Sequence, residues 1–107
     1  MKALTVKQPW ASLIAGGKKT LEVRTWQTSH RGPLLICSSK KPILGLLPVG
    51  VSVCIVEVVG CRPMTVEDEA AACFACFDGA FVWELNNVQP VEHKKIQGKL
   101  SIFEVNF

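Results

Sequence analysis

The stretch that decides the fold covers residues 17–26 and reads GKKTLEVRTW. From position 20 onward, apolar and polar residues alternate, which predicts a β-strand with one buried face. Leu21 and Val23 form the apolar face. The opposite face carries Thr20, Glu22, Arg24 and Trp26. A carboxylate two residues from a guanidinium can form an ion pair, and a neighbouring indole offers a stacking surface for a base. This pattern predicts either a solvated strand face with an incidental ion pair or a binding pocket.

The position of Lys19 does not follow from this alternation. Strict strand geometry places Lys19 on the face of Leu21, whereas Lys18 has the parity of Glu22. Lys19 joins the polar face only if the chain is not yet extended as it leaves Gly16-Gly17, and glycine permits such a turn. A lysine held beside a carboxylate and an arginine can bind phosphate or, when desolvated, lose its proton and act as a base or nucleophile. Alternation alone leaves both lysines as candidates.

On the N-terminal side of this stretch, the pattern predicts a short strand and a short helix. Leu4 and Val6 alternate with polar residues over 4–7, as in a half-buried strand. Pro9 suits the first turn of a helix, where its missing N–H costs nothing, and the helix is predicted over 10–15. Gly16-Gly17 then ends it, as glycine commonly does.

On the C-terminal side, alternating or continuous apolar runs predict the remaining strands at 33–38, 51–61, 81–86 and 99–105. The run at 51–61 is almost continuously hydrophobic, so both faces of that strand are expected to be covered. The segments 39–50 and 86–95 contain proline and polar residues and are predicted as loops.

A second helix is predicted between residue 65 and the Asp78-Gly79 turn. Thr65 and Asp68 resemble a capping arrangement at its start. Its apolar face, at helical spacing, is formed by Val66, Ala70, Cys73, Phe74 and Phe77.

Many strands and few helices in 107 residues predict an α+β, mainly β fold: a closed or nearly closed barrel of about six strands with two helices. Hydrophobic residues make up 49% of the chain, which is enough for a core and argues against disorder. We find no repeat and no linker, so residues 1–107 are expected to form a single domain.

The composition argues against several classes of protein. No apolar run reaches the roughly 18 residues of a membrane span, and the N-terminus lacks the apolar core of a signal peptide, so a cytoplasmic protein without membrane contacts is expected.

The five cysteines include one C-x-x-C pair, Cys73 and Cys76, but no second closely spaced pair. We therefore expect reduced thiols, no metal and no cofactor. Phosphate-loop, zinc-protease and nucleophile-elbow motifs are absent.

Positive charge is concentrated at the N-terminal end. Residues 1–41 contain eight lysines and arginines and a single acid, Glu22, although the whole chain carries only +3. This asymmetry predicts one basic face, which permits nucleic-acid binding without requiring it.

The motifs together resemble the ASCH domain, a family of the PUA-like superfamily. The sequence KQPWA at 7–11 matches, and residues 17–24 match the family pattern G-x-K-x-x-E-x-R. The continuation RGPLLICSSK at 31–40 and the late aromatic segment FVWEL at 81–85, followed by Gly98, also match. The resemblance implies a small PUA-like β-barrel with a cleft near the short helix. It also implies functions around RNA or modified nucleosides: members are described as RNA-binding modules of coactivators, small ribonucleases and amidohydrolases of a modified cytidine.

The resemblance selects Lys19 over Lys18 and implies that Lys19, Glu22 and Arg24 are the residues for any catalysis. The amidohydrolase members use Lys-x-x-Thr, whereas this chain has Glu22 at the fourth position. The predicted ligand-binding residues are Gln8, Pro9, Trp10, Trp26, Thr28, Arg31, Ser38, Lys40 and Trp83. The start of the short helix offers backbone N–H groups to an anion, or Trp10 packs in the core instead. Trp83 similarly either lines the pocket or belongs to the core.

Three functions remain open at this point. The first is a binding module whose charged pocket accepts a nucleobase or nucleotide of RNA. The second is a metal-independent hydrolase, a ribonuclease or modified-nucleoside amidohydrolase, with Lys19 as base and Glu22 as acid or orienting group. The third is a protein-interaction module without pocket chemistry. The sequence does not specify the ligand or the oligomeric state.

Overall fold

Six β-strands form one curled sheet in the computed structural model, which describes all 107 residues. The elements are β1 (Lys2–Val6), α1 (Trp10–Ala15), β2 (Leu21–Arg24), β3 (Gly32–Ser38), β4 (Ser52–Pro63), α2 (Glu69–Ala72), β5 (Phe81–Pro90) and β6 (Ile102–Glu104). A 3-10 turn over Val66–Asp68 leads into α2. Six strands and two helices confirm the predicted mainly β, α+β architecture.

The sheet curls into a half-barrel whose two edges do not pair. The strand order is β2-β5-β4-β3-β1-β6, so β2 and β6 are the edges. All neighbours are antiparallel except β1 and β3, which run parallel. We call the gap between β2 and the β1–β6 edge the seam, because the barrel would close there.

The core explains the hydrophobic runs of the central strands, but the prediction that both faces of residues 51–61 are covered is correct only up to Val56, because Glu57 and Val59 are exposed. On the inner face, α1 places Ala11 and Ile14 against buried residues of the sheet, including the fully buried Trp83. On the outer face, Leu35 and Phe103 belong to a second buried cluster. Because both faces are covered, the middle of β3 shows no alternation.

The five cysteines are all free thiols. Two of them, Cys37 and Cys54, lie in the buried part of the sheet. Burial raises the pKa of the Cys37 thiol to about 11, so it stays protonated at neutral pH.

The second helix is much shorter than predicted. The predicted start at Thr65 is correct for the 3-10 turn Val66–Asp68 that leads into α2, because Thr65 and Asp68 form a reciprocal capping box there. The predicted end is wrong: Cys73 adopts a left-handed conformation with φ 52°, and α2 stops at Ala72. The predicted apolar face is also wrong. Of α2 only Ala72 is buried, while Val66 is 68% exposed.

Contacts from distant parts of the chain hold this early helix end. The carbonyl of Ala72 accepts a hydrogen bond from Lys19 Nζ, and the carbonyl of Cys73 accepts one from Trp10 Nε1 at 3.1 Å. A local contact adds to these two: the Glu69 carboxylate accepts from the backbone N–H of Cys76 at 2.7 Å. These bonds use groups that a longer helix would pair internally, and local periodicity cannot reveal them.

The other strand boundaries differ modestly from prediction. β5 continues to Pro90, through part of the predicted 86–95 loop, and β6 covers only Ile102–Glu104. None of the helices has the length and apolar character needed to traverse a lipid bilayer.

Candidate functional site

A cavity of about 590 Å³ opens at the seam, between β2 on one side and β1 with residues 99–101 on the other. Such a volume is in the range of small-molecule and cofactor sites. The charged residues in its wall are Lys7, Lys19, Glu22, Arg24 and Lys99. Its aromatic residues are Trp10, Trp26, Phe74 and Phe77. The cavity is therefore strongly cationic, with one carboxylate and several aromatic rings.

Lys19, Glu22 and Arg24 converge in one ion-paired cluster in this wall, which we call the charged triad. Lys19 Nζ lies 3.6 Å from Glu22 Oε1, and Arg24 Nε donates to Glu22 Oε2 at 2.9 Å. Arg24 Nη2 also donates to the carbonyl of Thr5 at 2.9 Å, which connects β2 to β1 across the seam. Lys19 is 3% exposed and Glu22 5%. Most of the triad is thus shielded from water, while the side chain of Arg24 remains 24% exposed.

The structure decides between the two lysines. Lys18 and Lys19 both donate their backbone N–H to the carbonyl of Leu13, at 3.0 Å, and Gly17 has φ 81°. The chain is therefore still turning at Lys19, and β2 begins only at Leu21. Strand parity does not apply at this position, so Lys19 reaches Glu22 while Lys18 is exposed.

Burial lowers the pKa of Lys19 below its usual value, although Glu22 acts in the opposite direction. Desolvation disfavours the ammonium form, and the carboxylate restores part of that loss. The Ala72 carbonyl, at the end of α2, gives the ammonium a second acceptor. Both acceptors stabilise the protonated form of Lys19. Burial nevertheless makes this ammonium lose its proton more readily than a lysine in water.

The aromatic residues form two groups around the triad. Trp26 packs edge-to-face on Trp83, with ring centroids 4.8 Å apart, and Trp83 Nε1 donates to the Trp26 carbonyl at 3.3 Å. Trp10, Phe74 and Phe77 form a second edge-to-face row, with centroids 5.4 and 6.1 Å apart. Trp83 itself is core, so it supports Trp26 from behind and does not line the cavity.

The start of α1 does not present an anion site to the cavity. Gln8 is fully buried; its Oε1 accepts from the Ser12 N–H at 3.0 Å, and its Nε2 donates to the Pro48 carbonyl at 2.7 Å. The amides of Ala11 and Leu13 also donate to backbone carbonyls. Gln8 and Pro9 thus organise the helix start outside the cavity, and of the predicted binding residues Gln8, Pro9 and Trp10 only Trp10 lines it.

The remaining predicted binding residues lie away from the cavity wall. Arg31 is exposed and donates to the backbone carbonyls of Thr28 and His30. Ser38 is buried and its hydroxyl bonds to the backbone of Val51. The stem of Lys40 lies against Gly50. The structure brings together Trp10, Lys19, Glu22, Arg24 and Trp26, but not Gln8, Pro9, Thr28, Arg31, Ser38, Lys40 or Trp83.

Several cavity residues were not identified from the sequence. Helical spacing predicts Phe74 and Phe77 on the apolar face of a longer helix, but α2 ends before the left-handed Cys73 and both rings line the cavity. Lys7 belongs to the basic N-terminal region, whose excess of positive charge indicates a basic face but does not single out this residue. Lys99 and Leu100 lie in the segment 99–105 that the sequence predicts as the last strand, but β6 begins only at Ile102, so both residues line the cavity from the preceding loop.

Comparison with known proteins gives a consistent result. The ASCH domain family model matches residues 4–95. Over 40 residues the chain is 55% identical to activating signal cointegrator 1 of Homo sapiens, and over 38 residues it is 50% identical to the Mus musculus protein of that name. Each alignment covers 36% of this chain but only 7% and 6% of the relative, respectively, so the chain spans a small part of those proteins.

Solved structures agree on the fold. The crystal structure of ASCH from Zymomonas mobilis superposes with a TM-score of 0.76 at 16% identity, over 98% of this chain and 87% of that one. A point mutant of the same protein superposes with a TM-score of 0.72 at 15% identity, over 98% and 89%. Because the identity is this low, the likeness concerns the fold alone.

Proposed function

Since the chain belongs to the ASCH domain family, we propose that it is a single RNA-binding domain whose seam cavity holds one nucleotide of a single strand. The observation that carries the proposal is the buried charged triad set in a cavity with aromatic walls. Phosphate requires cations and a base requires a flat apolar surface, and this cavity offers both.

The charges fit an anionic ligand. The cavity wall has four lysines and arginines against one carboxylate, Glu22. Lys7 and Lys99 are exposed and free to reach the phosphates of a bound strand. Glu22 is held by Lys19 and Arg24, but a carboxylate has about four acceptor positions, so it can still accept a base amino group.

The aromatic residues fit a base. Trp26 is fixed by Trp83, so its ring is already ordered before a base stacks on it. A pre-ordered stacking surface loses little conformational entropy when the ligand binds. A base must leave its duplex partner to enter such a cavity, so we expect a preference for single strands.

We expect Trp26→Ala to weaken binding of single-stranded RNA about tenfold, because stacking on an aromatic ring contributes about 1–3 kcal/mol per base. The measurement is fluorescence anisotropy with a labelled ten-nucleotide strand, and with its duplex for comparison. Trp26→Phe keeps a ring and should retain most of the affinity. The matched control is Phe107→Ala, since Phe107 is 43% exposed and lies outside the cavity. Equal losses in the Trp26→Ala and Phe107→Ala variants would contradict the proposal.

A second candidate is a metal-independent hydrolase of RNA or of an acylated cytidine, and the lowered pKa of Lys19 is what favours it. Lys19 would act as general base, oriented by Glu22. On this hypothesis the rate rises with pH through the pKa of Lys19, below the usual 10.5, because the neutral amine is the active form. Lys19→Arg should then abolish turnover but keep binding.

The pH–rate profile on both substrates separates the candidates. Absence of turnover at every pH would contradict the hydrolase and leave the binding module. If Glu22→Gln and Arg24→Ala changed neither binding nor turnover, a protein-interaction module without pocket chemistry would describe the chain better.

A further inference from the structure

Residues 97–101 form a strap across one wall of the cavity. It is anchored at both ends: the N–H of Ile96 donates to the Gly50 carbonyl at 3.1 Å, and Ile102 pairs with Leu4 in the sheet. Between these anchors all five residues are exposed, and none of their backbone groups makes a hydrogen bond. The strap can therefore move without breaking a backbone hydrogen bond.

The strap presents three residues to the cavity, Lys99, Leu100 and Ser101. Leu100 is 95% exposed although it lines the cavity, so this apolar side chain is almost unpacked against the rest of the protein. A base held by Trp26 and the triad would offer Leu100 an apolar face. Lys99 lies beside it with a charge for the adjoining phosphate.

Thr5 gives independent evidence that the observed strap position leaves a buried polar group without a hydrogen bond. Its hydroxyl is the one buried side-chain oxygen or nitrogen in the protein without a hydrogen-bond partner. The hydroxyl lies close to the strap backbone, because a Cβ placed on Gly98 would be 3.0 Å from Thr5 Oγ1. A buried, unpaired hydroxyl is unfavourable, and water could solvate it if the strap lifted.

We propose that the strap is a movable cover that closes over a nucleotide in the seam cavity, with Leu100 packing on the base and Lys99 on its phosphate. This inference rests on the proposed RNA binding. The unpaired Thr5 hydroxyl lowers the free-energy cost of lifting the strap from its observed position, and the new contacts of Leu100 and Lys99 favour the closed strap when ligand is bound. Gly98 permits the closed position, since a larger residue there would press on Thr5.

The binding test uses the ten-nucleotide RNA and Leu100→Ala. We expect about a fivefold loss of affinity, because the truncated side chain buries less apolar area against the base. Leu46→Ala is the matched control, since Leu46 is 103% exposed and outside the cavity, and it should bind like the unmodified protein. Equal affinity of both variants would overturn the proposal.

The movement test uses limited trypsin digestion, with mass spectrometry to follow cleavage after Lys99 alone. We expect bound RNA to slow this cleavage severalfold. Without RNA, Thr5→Val should slow it as well, because the observed strap position then no longer buries an unpaired hydroxyl and lifting the strap becomes less favourable. Thr20→Val is the control, because Thr20 is an exposed residue outside this cavity, and this variant should be cleaved at the original rate.

The outcomes separate this inference from the function on which it rests. If the unmodified protein binds no RNA, both fail. If RNA binds but neither RNA nor Thr5→Val changes cleavage after Lys99, the strap is static and only the movable cover is overturned.

Discussion

Glu22→Gln is expected to lower the free energy of unfolding by about 3 kcal/mol at pH 7, the lower end of the cost of breaking a buried ion pair. The substitution keeps the shape of the side chain but removes its charge. Lys19, which is 3% exposed, then retains a buried ammonium without a carboxylate, and Arg24 loses its ionic partner. Urea denaturation followed by circular dichroism measures the change.

The chain contains a matched control for this prediction. Glu104 forms an ion pair with Lys2 at 2.9 Å, but its side chain is 66% exposed. An exposed pair contributes about 0–1 kcal/mol, so Glu104→Gln should change stability little. Lys19→Met is also expected to cost less than Glu22→Gln, because Glu22 keeps Arg24. A similar loss in the free energy of unfolding for Glu22→Gln and Glu104→Gln would mean that burial does not strengthen the charged triad.

Arg24→Ala is expected to weaken RNA binding about thirtyfold, equivalent to about 2 kcal/mol, because a partly desolvated, hydrogen-bonded charge is lost from the cavity. Arg24 donates to Glu22, donates to the Thr5 carbonyl across the seam and carries positive charge into the cavity. Its removal leaves Glu22 less neutralised where a phosphate would approach. Anisotropy titrations at several salt concentrations measure the affinity and its salt dependence, whose slope should fall by about one.

Two further variants test why Arg24 matters. Arg24→Lys keeps the charge but cannot donate from Nε and Nη2 in fixed directions, so it should not restore full affinity. Arg31→Ala removes an exposed arginine that contacts only the backbone carbonyls of its own loop. It should alter the affinity less than twofold. A loss for Arg31→Ala as large as that for Arg24→Ala would indicate diffuse surface binding in place of a cavity.

Much of the fold was predictable because its signals are local. The helix at Trp10–Ala15 lies between a proline and two glycines, and the structure has these bounds. The strands follow from runs of apolar residues, and the start of α2 follows from Thr65 and Asp68. In each case the deciding residues are neighbours in the chain, so a single sequence contains the information.

The site was predictable only in part. Glu22 and Arg24 share a strand face by parity, and their ion pair is in the structure. Lys19 needed the family pattern, because strand parity assigns it to the wrong face. The placement of Phe74 and Phe77 in the cavity could not be predicted from the sequence. It depends on the turn at Cys73, which Lys19 and Trp10 hold by hydrogen bonds from elsewhere in the chain.

By itself, then, the sequence determined the family, the number and type of elements, and the charged pair Glu22 and Arg24, because periodicity and motif spacing are properties of neighbouring residues. Only the tertiary structure decided that α2 ends at Ala72, that the sheet stays open at the seam, and that the strap lies over Thr5. These features depend on hydrogen bonds and packing between residues far apart in the chain, whose energies exceed the weak local preference for a longer helix.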